Sequence, residues 1–128
     1  MLIDDDQVNN FVCESIIRKE DFADEVISFE WAEDALKYLQ EASEKGKSHF
    51  PDLIFLDINM PGMDGWLFID AYGKLPTHTT ENCLLFMLSS AVDRKDILTA
   101  KNNEHVKEFF SKPLSTEVLD IIREEYSS

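Results

Sequence analysis

The sequence predicts an α/β fold built on a parallel sheet of five strands, with helices covering both faces. Three observations carry that expectation. Short apolar runs alternate with segments of helical spacing along all 128 residues. Two of the runs, Asp52–Asp57 and Cys83–Leu88, are apolar almost throughout, as strands buried on both faces tend to be. No repeat, low-complexity tract or linker rich in Pro, Gly or Ser breaks the chain, so it reads as one domain over residues 1–128. Strands that alternate with helices pair in parallel through right-handed crossovers.

Each element has its own signal. Met1-Leu2-Ile3 is a short apolar run that ends in three aspartates. Val8, Phe11, Val12 and Ile16 recur at helical spacing and mark the apolar side of a first helix, ending near Lys19. Val26–Phe29 reads as the second strand. From Trp31, residues Ala35, Leu36, Leu39 and Ala42 mark an amphipathic helix that Gly46 can terminate. Asp52–Asp57 is the central strand, and Trp66–Tyr72 a third helix after the Pro61-Gly62-Met63-Asp64-Gly65 turn. Residues 73–82 form a longer polar connection to the strand Cys83–Leu88. Asp93–Asn103 is a shorter helix with Ile97, Leu98 and Ala100, and Val106–Phe110 the fifth strand. Ser115 can cap a last helix with Val118, Leu119, Ile121 and Ile122 facing inward.

Composition narrows function. The formal net charge of −14 repels phosphate backbones and anionic lipid, which argues against nucleic-acid or membrane-surface binding. The same charge attracts divalent cations wherever carboxylates converge. No run approaches the ~18 apolar residues of a membrane span, and no signal peptide opens the chain, so a cytoplasmic protein is expected. Cys13 and Cys83 have neither metal-ligand spacing nor a disulfide framework and read as small hydrophobes. His49, His78 and His105 fall in different connections, which disfavours a histidine metal site. Trp66, Phe109 and Phe110 read as packing residues.

In an open parallel sheet, chemistry gathers outside the carboxyl ends of the strands. The polar residues ending the runs here are Asp4-Asp5-Asp6, Asp57, Ser89-Ser90 and Lys112-Pro113. Singly, each has a plain structural explanation; Asp6 in particular suits a helix cap. Together they place acids, a hydroxyl and an amine on one rim. Asp5 and Asp57 offer the hard oxygen ligands that Mg²⁺ prefers. An Asp carboxylate can accept a phosphoryl group as an acyl phosphate, and Lys112, Ser89 and a cation can stabilise the charge on the transferred oxygens. The set suits reversible phosphorylation of Asp57.

Four motifs now stand in order along the chain: Leu2-Ile3-Asp4-Asp5-Asp6, Leu56-Asp57-Ile58-Asn59-Met60-Pro61-Gly62-Met63-Asp64-Gly65, Leu88-Ser89-Ser90 and Phe110-Ser111-Lys112-Pro113. In these the chain resembles response-regulator receiver domains of two-component phosphorelay signalling. The resemblance implies a doubly wound, flavodoxin-like (βα)₅ fold with strand order 2-1-3-4-5. It implies that Asp57 is the phosphoacceptor. Mg²⁺ would be held by Asp5 and Asp57 directly, by Asn59 through its backbone carbonyl, and by Asp4 through water. Ser89 takes the switch-hydroxyl position and Phe109 the switch-aromatic one. Lys112 would pair with the phosphoryl group, and the bond to Pro113 is expected to be cis. The implied partners are a sensor histidine kinase or histidine phosphotransfer protein, and a downstream protein on the face formed by the fourth helix, fifth strand and fifth helix. Such a domain catalyses only its own phosphorylation and dephosphorylation.

Two departures accompany the resemblance. Only three residues precede Asp4, where the family's first strand usually has about five, so that strand is expected to be truncated at its N-terminus. No output domain follows, which leaves a stand-alone receiver and a fragment of a longer regulator both open. Two rival functions stand beside this one. Asp4-Asp5-Asp6-Gln7-Val8 superficially fits the opening of an aspartate-nucleophile phosphatase of the haloacid-dehalogenase type. That reading lacks a strand-end acid pair after Lys112, since Glu117, Asp120, Glu124 and Glu125 share one helix, and it leaves Asp57 without a role. A degenerate receiver acting only as an interaction module is the other, and the complete acid, hydroxyl and lysine set argues against it.

Overall fold

The period-two alternation of side chains along four apolar strands divides the interior into two cores. A computed structural model of the chain describes residues 1–45, 49–90 and 93–126. Its strands are β1 (Leu2–Ile3), β2 (Ser28–Phe29), β3 (Leu53–Leu56), β4 (Leu84–Ser89) and β5 (Val106–Ser111). All pair in parallel, in the order β2-β1-β3-β4-β5. The helices are α1 (Gln7–Lys19), α2 (Ala32–Lys45), α3 (Gly65–Tyr72), α4 (Thr77–Thr80), α5 (Arg94–Lys101) and α6 (Thr116–Tyr126). Ile3, Ile54, Leu56, Leu85 and Met87 point to one face, where they meet Leu36 and Leu39 of α2, Phe68 and Tyr72 of α3, and Ala100 of α5. Leu2, Phe55, Phe86, Leu88 and Phe110 point to the other and meet Cys13 and Ile17 of α1 and Leu119 and Ile122 of α6. The result is the doubly wound fold that the alternation of elements predicts.

Several details depart from the sequence pattern. The second strand is shorter than Val26–Phe29, although Ile27 still accepts a hydrogen bond from the Leu2 N–H at 2.8 Å. The connection 73–82 contains the single turn α4, whose Thr79 is buried and donates its hydroxyl to the Pro76 carbonyl at 2.6 Å. In α6, Leu119 and Ile122 are buried and Ser115 accepts from the Val118 N–H, but Ile121 faces solvent. Gly46 lies outside the described residues, so α2 is described only as far as Lys45.

The largest correction concerns α1. Val8, Phe11 and Val12 do not face the core: they are 71%, 72% and 45% exposed, and Ile16 is only partly buried. The inward stripe is Asn10, Cys13 and Ile17. Polar groups set this rotation. The Asp6 carboxylate caps the helix by accepting from the Val8 and Asn9 N–H groups, and the Asn10 amide donates to the Asp4 carbonyl at 2.8 Å. Once Asn10 is tied beneath β1, residues three and seven positions on must also face the sheet.

Gly65 positions the exit of β3. Its N–H donates to the Ile58 carbonyl at 2.9 Å, so the start of α3 presses on the chain just after the central strand. A Cβ there would lie 2.7 Å from the Asp57 carbonyl oxygen and 2.9 Å from Ile58 Cα, both backbone atoms with little freedom to yield. Gly65→Ala is expected to destabilise the fold by about 1–3 kcal/mol through this overpacking. Urea denaturation checks it, and an unchanged midpoint would show that the backbone gives way without cost.

Candidate functional site

The parallel register assembles the site. Ile3 pairs with Leu56, and the Asp57 N–H continues the ladder to the Ile3 carbonyl at 3.0 Å, so the next residues, Asp4 and Asp57, lie side by side. Ser89 pairs with Ser111, and the Lys112 N–H donates to the Ser89 carbonyl at 3.0 Å. The ends of β1, β3, β4 and β5 therefore share one rim, as their sequences led us to expect. Asp4, Asp57 and Ser89 are buried and Asp5 is exposed. One carboxylate oxygen from each of Asp4, Asp5 and Asp57 lies within 4.8 Å of the others. Such a group could hold a metal ion through hard oxygen donors. Among the described residues it is the only cluster of that kind, and no histidine or cysteine belongs to it.

Asp4 is the most heavily held member. Its Oδ1 accepts from the Asp6 N–H at 2.9 Å, and its Oδ2 from the Asn9 side-chain amide at 2.8 Å. Lys112 Nζ lies 2.5 Å from the same Oδ2 and 3.5 Å from Oδ2 of Asp57. The lysine thus bridges two buried acids but leans toward Asp4. Asp6 spends its carboxylate on the α1 cap, outside the cluster.

Burial pushes the Asp57 carboxyl above its ordinary pKa, and the neighbouring Asp4 charge adds to the effect; Lys112 and Ser89 oppose it. For Lys112, burial acts downward, but the hydrogen bond and charge of Asp4, then those of Asp57, outweigh it and raise the pKa. Ser89 Oγ is buried and forms no hydrogen bond, although it lies near enough to favour the ionised form of Asp57. Burial raises both the Cys13 and Cys83 thiols to about 11, which keeps them inert.

The remaining sequence candidates occupy distinct places. Asn59 is exposed two residues beyond Asp57. Phe109, half-buried on β5 in register with Met87, packs against the core that contains α2 and α3. The Lys112–Pro113 peptide bond is cis. Glu117, Asp120, Glu124 and Glu125 lie exposed on α6 and join no cluster with the rim acids. The motif reading missed Asn9 and Asn10, the two amides that hold Asp4. The available signal was the pair of poor helix formers early in an otherwise regular helix. It also missed the bond from Trp66 Nε1 of α3 to Asp96 Oδ1 of α5, at 3.2 Å.

A carboxyl whose pKa rises on folding stabilises the fold when protonated. That contribution is lost as pH climbs from the ordinary value of 3.8 through the folded one. At neutral pH the ionised Asp57 therefore opposes folding. In metal-free buffer, Asp57→Asn is expected to melt a few degrees above the parent at neutral pH, with the advantage vanishing below the ordinary carboxylate range. Thermal melts across pH check this; equal melting temperatures at neutral pH would mean that Lys112 already cancels the repulsion.

The comparisons with known proteins agree with this geometry. The sequence matches the family described as response regulator receiver domain over residues 1–122. A two-component response regulator from Cytophaga hutchinsonii superposes with a TM-score of 0.88 at 31% identity, covering 97% of this chain and 92% of its own. A response regulator receiver protein from Dyadobacter fermentans gives 0.86 at 29% identity, covering 99% and 96%. A putative response regulator from Chloroflexus aurantiacus gives 0.76 at 22%, covering 96% and 93%, which bears on the fold alone. No curated protein matches the chain. Among the described residues no helix is long and apolar enough to cross a membrane. With five parallel strands in this order and an acidic pocket at their carboxyl ends, the chain belongs to the response regulator receiver domain family, the phosphoacceptor modules of two-component signalling.

Proposed function

We propose that the chain is a Mg²⁺-dependent phosphoacceptor, charged at Asp57 by a sensor histidine kinase or a histidine phosphotransfer protein, and that phosphorylation switches a protein-binding face. One observation carries this reading. Asp57 is a buried carboxylate at the end of the central strand, with a second acid beside it and a lysine ammonium 3.5 Å away. A purely structural buried acid would gain nothing from a second one at its side.

The donor set fits a hard cation. Asp5 and Asp57 would hold Mg²⁺ directly, the Asn59 main-chain carbonyl would add a ligand, and Asp4 would act through water. Bound there, Mg²⁺ supplies charge neutralisation for the phosphoryl oxygens. The chain's own residues do the rest. An Asp57 oxygen attacks phosphorus, the bond to the donor imidazole nitrogen breaks, and the electron pair leaves with the imidazole. The Lys112 ammonium turns from Asp4 to a phosphoryl oxygen. The Ser89 hydroxyl, buried and without a hydrogen-bond partner, donates to another. The domain acts only on its own phosphoryl group.

The switch runs through Ser89 and Phe109. Movement of Ser89 toward the phosphoryl group opens space beside β5, which Phe109 fills. Phe109 has no hydroxyl to anchor either rotamer, so burial alone, roughly 1.5–3 kcal/mol for such a side chain, sets its preference. The face it reports to is α5, β5 and α6, the same elements that the sequence numbers as fourth helix, fifth strand and fifth helix once the turn α4 is set aside. The Trp66–Asp96 bond ties α5 to α3, whose first residue abuts Asp57, and gives the pocket a second mechanical link to that face.

Incubation with acetyl phosphate and Mg²⁺ is expected to add one phosphoryl mass to the protein and none to Asp57→Asn; undiminished labelling of the variant would sink the assignment. Steady turnover of a generic phosphoester would instead favour the phosphatase reading. Ser89→Ala should still take the phosphoryl group but lose most of the coupling. With a beryllofluoride mimic, amide NMR shifts on α5, β5 and α6 should be large in the parent and small in Ser89→Ala. Matching distal shifts in the two proteins would remove Ser89 from the switch.

A further inference from the structure

Asp4 Oδ2 receives two donors of different kinds, the Asn9 side-chain amide at 2.8 Å and the Lys112 ammonium at 2.5 Å. The ammonium is shared, since it also lies 3.5 Å from Asp57. The amide is not free to leave. Asn9 sits in the first turn of α1, its own N–H bound by the Asp6 cap at 3.2 Å, and the helix is pinned one residue later, where the Asn10 amide bonds the Asp4 carbonyl. Asp4 is thereby gripped by three donors from its own chain segment: the Asp6 N–H on Oδ1, the Asn9 amide on Oδ2, and the Asn10 amide on the main chain.

We propose that Asn9 is a positioning residue of the acidic pocket, whose amide keeps the Asp4 carboxylate oriented toward the cation when Lys112 moves away to a phosphoryl oxygen. This rests on the phosphoacceptor reading above. The physical argument is one of timing. Asp4 and Asp57 are both buried, and the lysine that bridges them cannot serve Asp4 and the incoming phosphoryl group at once. Without the amide, the carboxylate would keep only the Asp6 N–H on Oδ1, and Oδ2 would be left to turn toward solvent or toward Lys112 as charge arrives. A neutral amide on a rigid helix turn holds the oxygen without competing with the cation as an ammonium does.

The test is isothermal titration of Mg²⁺ into the full chain and into Asn9→Ala, beside thermal melts of both in EDTA. Alanine is a better helix former than asparagine, so the variant is expected to fold. Loss of a hydrogen-bonding partner behind a direct metal ligand typically weakens metal binding about 10–100-fold; Asp4 would meet the cation through water, so the expected rise in Kd is at the low end, about 10-fold. The metal-free melting temperature should move by no more than a few degrees. With acetyl phosphate, the half-saturating Mg²⁺ concentration for phosphorylation should rise by a similar factor while the rate at saturating Mg²⁺ stays near the parent's. A lowered metal-free melting temperature with an unchanged Kd would assign Asn9 a merely structural role and overturn the proposal. Should Asn9→Ala melt too early to titrate, Asn9→Ser, which keeps a hydroxyl but is too short to span the distance, replaces it under the same criteria. Absence of Mg²⁺ binding by the parent chain would overturn the phosphoacceptor reading itself, a result distinct from parent binding that Asn9→Ala leaves intact.

Discussion

Two carboxylates buried side by side at the ends of adjacent parallel strands are the constraint around which this protein is arranged. The register that pairs Ile3 with Leu56 leaves Asp4 and Asp57 no separate places to go. Their repulsion, added to the cost of burying each charge, has to be met by donors at fixed positions. The Asp6 N–H, the Asn9 amide and the Lys112 ammonium meet Asp4, and Lys112 reaches on toward Asp57. Burial first, and then the Asp4 charge at its side, hold the Asp57 pKa up. A group in that condition has free energy to gain from a cation.

The scaffold holds this strained arrangement because both faces of the sheet are packed independently. Alternate residues of β3 and β4 belong to different cores, so neither strand can twist or slide without disturbing both. The rim is therefore built on strand ends packed from both faces, with less burial at the β5 edge. There, β5 carries only partial burial at Phe109, and α5 buries only Ala100.

α1 shows how site and scaffold are coupled. Its apolar residues Val8, Phe11 and Val12 would make a creditable core stripe, yet they face solvent because Asp6 and Asn10 fix the rotation of the helix. Hydrogen bonds that organise the pocket have overridden hydrophobic periodicity. The exposed apolar surface that results is a consequence of holding Asp4 in place.

The sequence by itself determined the order of strands and helices, because runs as apolar as Leu53–Leu56 and Leu84–Leu88 have no stable place except a buried parallel sheet. It also determined which residues stand at the strand ends, since Asp4, Asp57 and Ser89 each interrupt an apolar run abruptly and Lys112 follows Phe110 after one serine. The cap at Asp6 was equally legible, being a local matter of one side chain and the next turn. Only the tertiary structure decided that α1 turns Asn10, Cys13 and Ile17 inward, because periodicity identifies stripes without choosing between two that compete. It alone decided that Lys112 leans toward Asp4, that Ser89 is buried without a hydrogen bond, and that Asn9 grips a carboxylate. Those facts depend on the register between strands distant in sequence and on the rotation of a helix over them, and local sequence encodes neither.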